Sequence, residues 1–223
     1  GVDFGTDNIA TLACTDESSV VFNGGVVKSR NQLFAKKRAA AVSSITKGTY
    51  RKHAKSKHLD LLSLKHDCQT TDSLHKISTA IVRWCIAHRV GVLVLGVNKL
   101  WKQEADMGKR NNQNFVSIPH ARLRWMITYK ALIAGIDVIE QEESYTSKAD
   151  VTAADPMPVY GQEDGKPVFS GKRIQRGLYK TASGLILNAD CNGAANILRK
   201  AVPGAWKNTK DFKFLACPES VGY

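Results

Sequence analysis

The order of apolar runs and breaks along the chain predicts an alternation of strands and helices. Val2–Phe4, Ile9–Cys14 and Ser19–Phe22 read as three short strands, the last closed by the turn signal Asn23-Gly24-Gly25. Leu33, Phe34, Ala40, Ala41 and Ile45 give the next stretch partial helical periodicity. A clearer helix follows, with Leu74, Ile77, Ile81, Trp84, Cys85 and His88 at three- and four-residue spacing and Asp72 placed to cap it. Val90–Leu95 is a continuous apolar run, the pattern of a central strand covered on both faces. Residues 97–118 form a polar loop. Pro119 opens a helix whose stripe is Leu123, Met126, Ile127, Ile133 and Ala134, and Gly135 ends it. Ile136–Ile139 is a further strand. Residues 146–184 hold three of the six prolines and little periodicity, as in a long loop or a small insertion. Leu185–Leu187 then reads as a short strand and Gly193–Val202 as a small-residue helix, and the tail after Pro203 is weakly patterned.

Three strands followed by alternating helices and strands predict an α/β fold, a mixed five-stranded sheet with flanking helices and a loop-rich insertion. The segments are a first core part at 1–145, the insertion at 146–184, a last core strand and helix at 185–202, and a tail at 203–223.

Charge adds a partner class. Lys and Arg number 32 against 20 Asp and Glu, a net charge of +12. A chain this basic is matched to a polyanion, nucleic acid before a membrane surface. No stretch is long and apolar enough to span a bilayer and no signal peptide is visible, so no membrane role is expected. The five cysteines are scattered without a C-x-x-C pair, which predicts neither a zinc site nor a disulfide framework and fits the reducing cytoplasm, in association with the nucleoid. The chain opens on Gly1, already inside a strand motif, as expected of a piece of a longer protein.

Two acids carry the candidate chemistry. Asp3 stands in Gly1-Val2-Asp3-Phe4-Gly5, mid-strand between apolar neighbours, where a charge is costly unless paired or bound to metal. Asp190 precedes Gly193-Ala194-Ala195 at the start of the last helix, where helix capping and metal binding both account for it. Mg²⁺ (or Mn²⁺) prefers carboxylate oxygens, and two such ions can clamp the attacking and leaving oxygens of a phosphodiester. A third carboxylate is sought after the Ile136–Ile139 strand, in Glu140-Gln141-Glu142-Glu143. Strand alternation puts Glu140 and Glu142 on one face and Glu143 on the other, leaving Glu143 or Glu142 as the third ligand.

These motifs, and the ribonuclease H-like order of elements, resemble the RuvC-like nuclease domain of TnpB, the transposon-encoded RNA-guided nuclease related to Fanzor and type V CRISPR effectors. Gly-Val-Asp-Phe-Gly resembles the first RuvC motif and Asp190-Cys191-Asn192-Gly193-Ala194-Ala195-Asn196-Ile197 the third. Asp72-Ser73-Leu74-His75-Lys76 resembles the family's signature at its first core helix, and Tyr145-Thr146-Ser147 the segment after its fifth strand. The resemblance implies a DNA endonuclease using Mg²⁺ or Mn²⁺, with Asp3, Glu143 and Asp190 as catalytic, metal-holding residues and with DNA and guide RNA as partners. The chain departs from the pattern in three ways. Gly96-Val97-Asn98-Lys99 stands where the second-motif Glu is usual, which points to a branch with that Glu relocated to the next strand. Asp150 and Ala153 replace the zinc-ribbon cysteines, so no zinc is expected. The amino-terminal, guide-binding half is missing.

Residues 28–66 hold 11 Lys and Arg against one acid, Asp60. Arg51, Lys52, Lys55 and Lys57 are the expected contacts to a nucleic-acid backbone. Lys172, Arg173 and Arg176 form a second patch in the insertion. Trp101 and Lys102, with Asn111–Phe115, lie in the polar loop beside the proposed site, where Trp101 is placed to stack on a base. Two rivals share the fold: a nuclease-dead nucleic-acid-binding regulator, and a resolvase or integrase.

Overall fold

A computed structural model describes residues 1–47, 55–97, 118–162 and 165–222. Six strands form the main sheet in the order β5-β4-β1-β2-β3-β9. They are β1 (Val2–Asp3), β2 (Asn8–Ala13), β3 (Ser19–Asn23), β4 (Val92–Val97), β5 (Asp137–Glu142) and β9 (Glu219–Val221). β1, β2 and β3 meander antiparallel, with Val2 opposite Leu12 and Asp3 opposite Thr11. β4 joins β1 in parallel, pairing Leu95 with Val2, and β5 joins β4 in parallel. The sheet is therefore mixed, as its pattern predicts, but it has a sixth strand. β9 comes from the weakly patterned tail and runs parallel beside β3. Three residues at a sheet edge carry too little alternation to announce themselves.

The insertion is more regular than its composition suggests. β6 (Lys172–Gln175), β7 (Leu178–Lys180) and β8 (Ile186–Asn188) form a separate antiparallel sheet. The strand at 186–188, expected in the core, belongs to this small sheet, where it pairs with β7.

Four helices complete the described residues: α1 (Gly25–Thr46), α2 (Lys57–Ala87), α3 (His120–Ile133) and α4 (Ala189–Ala201). α2 begins well before the expected start. Ser56 caps it by accepting from the Leu59 N–H at 3.2 Å, and Asp60 sits in its first turn. Asp72 lies mid-helix and pairs with Lys76 one turn on, at 2.7 Å. The apolar stripe begins near residue 70 because the first half of α2, with Leu61 and Leu64 exposed, packs mainly on α1.

One face of the main sheet carries Leu93 and Leu95 against Leu74, Ile77 and Ile81 of α2 and Leu123 and Ile127 of α3. The other face receives α4. Val94 packs there with Ala194, Ala195, Ile197 and Leu198, and Trp206 and Leu215 close the far side. α4 lies almost on the β1 backbone, since a Cβ at Gly1 would stand only 2.1 Å from the Ala194 carbonyl oxygen. This closeness is the physical reason for a helix built on Gly193-Ala194-Ala195. Trp84, expected in the core, packs partly buried against it and stacks on His88 with ring centroids 4.0 Å apart.

Candidate carboxylate site

Each acid arrives on a different element. Asp3 ends β1 and points to the α4 side of the sheet. Its Oδ2 lies so close to Gly193 that a Cβ there would approach it to 2.7 Å. Asp190 is in the first turn of α4, where Asn188 caps the helix and accepts from the Asp190 and Cys191 N–H groups at 3.0 and 3.1 Å. Capping is thus done by Asn188, and the Asp190 carboxylate projects free of that duty. Glu143 follows β5, and its Oε2 hangs over β4 at Gly96, where a Cβ would stand 2.7 Å from it and 3.1 Å from the Val2 carbonyl oxygen.

The electrostatics tie the three together. Burial, then the Glu143 carboxylate, then that of Asp190, push the Asp3 pKa well above the ordinary range; Arg173 and the Phe4 N–H offset only part of this. Asp190 is held on two sides. Asn8 Nδ2 donates to its Oδ2 at 2.7 Å, and the Arg173 guanidinium stands 3.6 Å from its Oδ1. Nothing in the sequence marks Asn8, which lies 182 positions from its partner.

The two glutamates differ in their partners. Glu142 accepts from Lys200 Nζ at 2.6 Å, a pair whose side chains are only 29% and 10% exposed. Burial works against its ionised form, but the Lys200 and Ser144 hydrogen bonds outweigh it and hold its pKa below the ordinary value. Glu142 is thus engaged by Lys200, whereas Glu143 is the glutamate whose charge acts on Asp3.

α4 also fixes the chain just beyond Glu143. Lys200 donates to the Ser144 carbonyl at 3.1 Å. Asn196 donates to the Thr146 and Ala149 carbonyls at 3.0 and 2.7 Å, and Asn192 donates to that of Ala149 at 2.8 Å. Both asparagines are fully buried. One polar stripe, at 192, 196 and 200, thus ties the Glu143 turn to the helix that carries Asp190.

The basic residues distribute unevenly. Arg173 and Arg176 reach from the small sheet back to the acids at the site edge, Arg173 to Asp190 and Arg176 to Asp7, which also pairs with Lys28 at 2.5 Å. Lys172 is exposed on β6, and Lys55 and Lys57 are exposed at the start of α2. Arg51, Lys52, Trp101, Lys102 and the loop around Asn111–Phe115 lie outside the described residues.

Where zinc-ribbon cysteines are usual, Asp150 is buried as a hydrogen-bond hub. It accepts from the Thr152 N–H and hydroxyl at 2.9 and 2.7 Å and from the Ala182 N–H at 2.7 Å. Asp155 accepts from the Asp150 and Ser170 N–H groups at 2.9 and 2.8 Å.

The donor set suits a hard divalent cation: three carboxylates, one of them buried and made uncomfortable as an anion by the other two. Among the described residues these acids do not close into a ligand cluster. The Asp190 oxygens are instead occupied by Asn8 and Arg173. Within the same limits, no helix is long and apolar enough to cross a membrane.

The main sheet, with its antiparallel meander followed by parallel β4 and β5, defines a ribonuclease H-like domain of the RuvC type. Comparison with known proteins places it further. The probable-transposase family OrfB_IS605 matches residues 1–102, and the Cas12f1-like TNB domain family matches residues 120–197. Among solved structures, the chain is similar to one in a cryo-EM structure of a Cas12f1–sgRNA–target DNA complex, with a TM-score of 0.60 and 16% identity. That match covers 88% of this chain, which spans 48% of the other. No curated protein matches. The chain is thus similar to the TnpB-type transposase family over residues 1–102 and to the Cas12f1-like family over residues 120–197.

Proposed function

We propose that this chain is the hydrolytic part of an RNA-guided DNA endonuclease, with Asp3, Glu143 and Asp190 as its catalytic carboxylates. The observation that carries the reading is the convergence of these acids from β1, the end of β5 and the start of α4, with Asp3 destabilised as an anion by the other two. A divalent cation, Mg²⁺ or Mn²⁺, supplies charge stabilisation for the attacking and leaving oxygens of a phosphodiester when bound, in the two-metal manner. Asp3, Glu143 and Asp190 would hold it. Their own work is to present oxygens at a fixed spacing, which the Asn192–Asn196–Lys200 stripe enforces. Arg173, beside Asp190, is placed to meet a phosphate arriving at the site, and Lys172 extends that positive edge. DNA and guide RNA as partners rest on the TnpB-like matches and on the nucleic acids named for the Cas12f1 complex.

The test is cleavage of matched DNA by the protein with its guide RNA in Mg²⁺. Asp3→Ala, Asp190→Ala and Glu143→Ala are each expected to lower the rate by at least ~10²-fold, the scale of lost transition-state charge stabilisation. Glu142→Ala is expected to retain most of it. Loss with both Asp changes but not with Glu143→Ala would remove Glu143 from the set. Absence of cleavage with nucleic-acid binding intact would favour the nuclease-dead regulator.

A further inference from the structure

Gly96 occupies an unexpected place for a glycine. It lies inside β4, a central strand paired on both sides, where glycine weakens the strand and contributes no packing. Its backbone does not require it, because the positive-φ glycines of the described residues are Gly135, Gly161, Gly165, Gly177 and Gly184. What distinguishes the position is the space beside it. A Cβ at 96 would meet Glu143 Oε2 and Ile197 Cδ1, each at 2.7 Å, and more loosely the Val2 carbonyl oxygen at 3.1 Å. Ile197 can yield, since that contact is with the end of a flexible side chain. The Glu143 contact is also with the end of a side chain, and it yields only by swinging the carboxylate out of this space, since the chain on both sides of the residue is tied to α4.

We infer that Gly96 is the positioning residue that admits Glu143 to the carboxylate site, its missing side chain being the volume the glutamate carboxylate fills. Side chains at 96 and 143 are mutually exclusive occupants of that volume. Only one of the two positions can deliver the third carboxylate. An aspartate launched from 96 would carry its oxygens about as far from its own Cβ as Glu143 Oε2 now lies from that point. The inference rests on the hydrolytic reading for its function but on packing alone for its geometry.

The two are tested separately, in an Ile197→Val background that removes the second close contact and keeps the variants foldable. The first measurement is a melting-temperature cycle without divalent ions. Gly96→Ala is expected to lower Tm by several degrees when Glu143 is present and by less than half as much with Glu143→Ala. Equal shifts in both contexts would overturn the inference. The second is Mn²⁺ binding to the chain without nucleic acid. Gly96→Ala and Glu143→Ala should each weaken it by roughly tenfold or more, and the two together should be no worse than either. Gly96→Asp with Glu143→Ala should recover affinity to within a few-fold of the unaltered chain, which a purely structural glycine would not allow. Failure of that recovery would overturn the claim that residue 96 governs where the ligand comes from. No Mn²⁺ binding by the unaltered chain would refute the hydrolytic reading instead, and the melting cycle would still decide the role of Gly96.

Discussion

Asp150 and Asp155 in the insertion are surrounded by donors, whereas Asp3 in the main sheet is surrounded mainly by other carboxylates. The first pair takes its hydrogen bonds from backbone N–H groups and hydroxyls of neighbouring turns. Burial opposes ionisation of Asp155, but the hydrogen bonds from Ser170 and Asp150 outweigh it and hold its pKa low. Asp3 is shifted the other way, by burial and by Glu143 and Asp190. The difference separates a carboxylate stabilised by the fold around it from one destabilised as an anion by its neighbours.

That contrast can be broken most forcefully at Asp150. Asp150→Ala would deprive three part-buried donors of Thr152 and Ala182 of their buried acceptor. It is expected to cost about 2–3 kcal/mol, read as a loss of stability in urea unfolding. A loss below about 0.5 kcal/mol would mean that the insertion is held by something else.

Breaking the Lys200–Glu142 pair comes next. Lys200→Met leaves a half-buried Glu142 without its cation and frees the Ser144 carbonyl, at an expected cost of about 1–2 kcal/mol. Mn²⁺ affinity should fall alongside stability, because the turn carrying Glu143 is released. Unchanged affinity in a destabilised variant would show that the turn is fixed without Lys200.

Opposite pH slopes sharpen the comparison further. The folded chain holds the Asp3 proton more tightly than the unfolded chain does. Its stability contribution is therefore greatest below the unfolded pKa of about 4 and is lost as pH rises through the elevated folded value. Asp3→Asn should relieve the metal-free protein increasingly as pH rises above about 4, and the gain should vanish toward pH 4. For Asp155 the sign reverses: its contribution is present above about pH 4 and is lost as pH falls through the depressed folded value. Asp155→Asn should thus be destabilising at neutral pH and progressively less so as pH falls below about 4. Parallel slopes for the two variants would erase the distinction.

The smallest effect is expected at Asn8. Asn8→Ala removes one hydrogen bond from Asp190 and should lower the cleavage rate only a few-fold with stability nearly unchanged. A hundredfold loss would promote Asn8 from an orienting partner to part of the reacting set.

Much of this arrangement was legible in the residues themselves. Asp3 stood out because a lone carboxylate between apolar strand residues has few structural explanations, and strand alternation set Glu142 and Glu143 on different faces without choosing between them. Other features were hidden by distance. Asn8 and Lys200 act on partners 182 and 58 positions away, and no local pattern encodes such a meeting. Asp72 looked like a helix start because the apolar stripe begins there, yet the helix extends half its length beyond the sheet. The small sheet escaped notice for another reason: β6 is exposed at every position, so it carries no alternation to detect. Gly96 was visible as a missing acid, but the cavity it leaves for a neighbouring strand exists only in three dimensions.

Asn192, Asn196 and Lys200 recur at intervals of four on α4, close to its natural repeat, so they work as successive teeth on one edge of a ratchet. Adding or deleting a single residue between Asp190 and Lys200 would rotate the later teeth by about 100° away from the backbone they grip. Insertions here should thus be far less forgiving than replacements, and length, more than identity, is what this short helix must preserve.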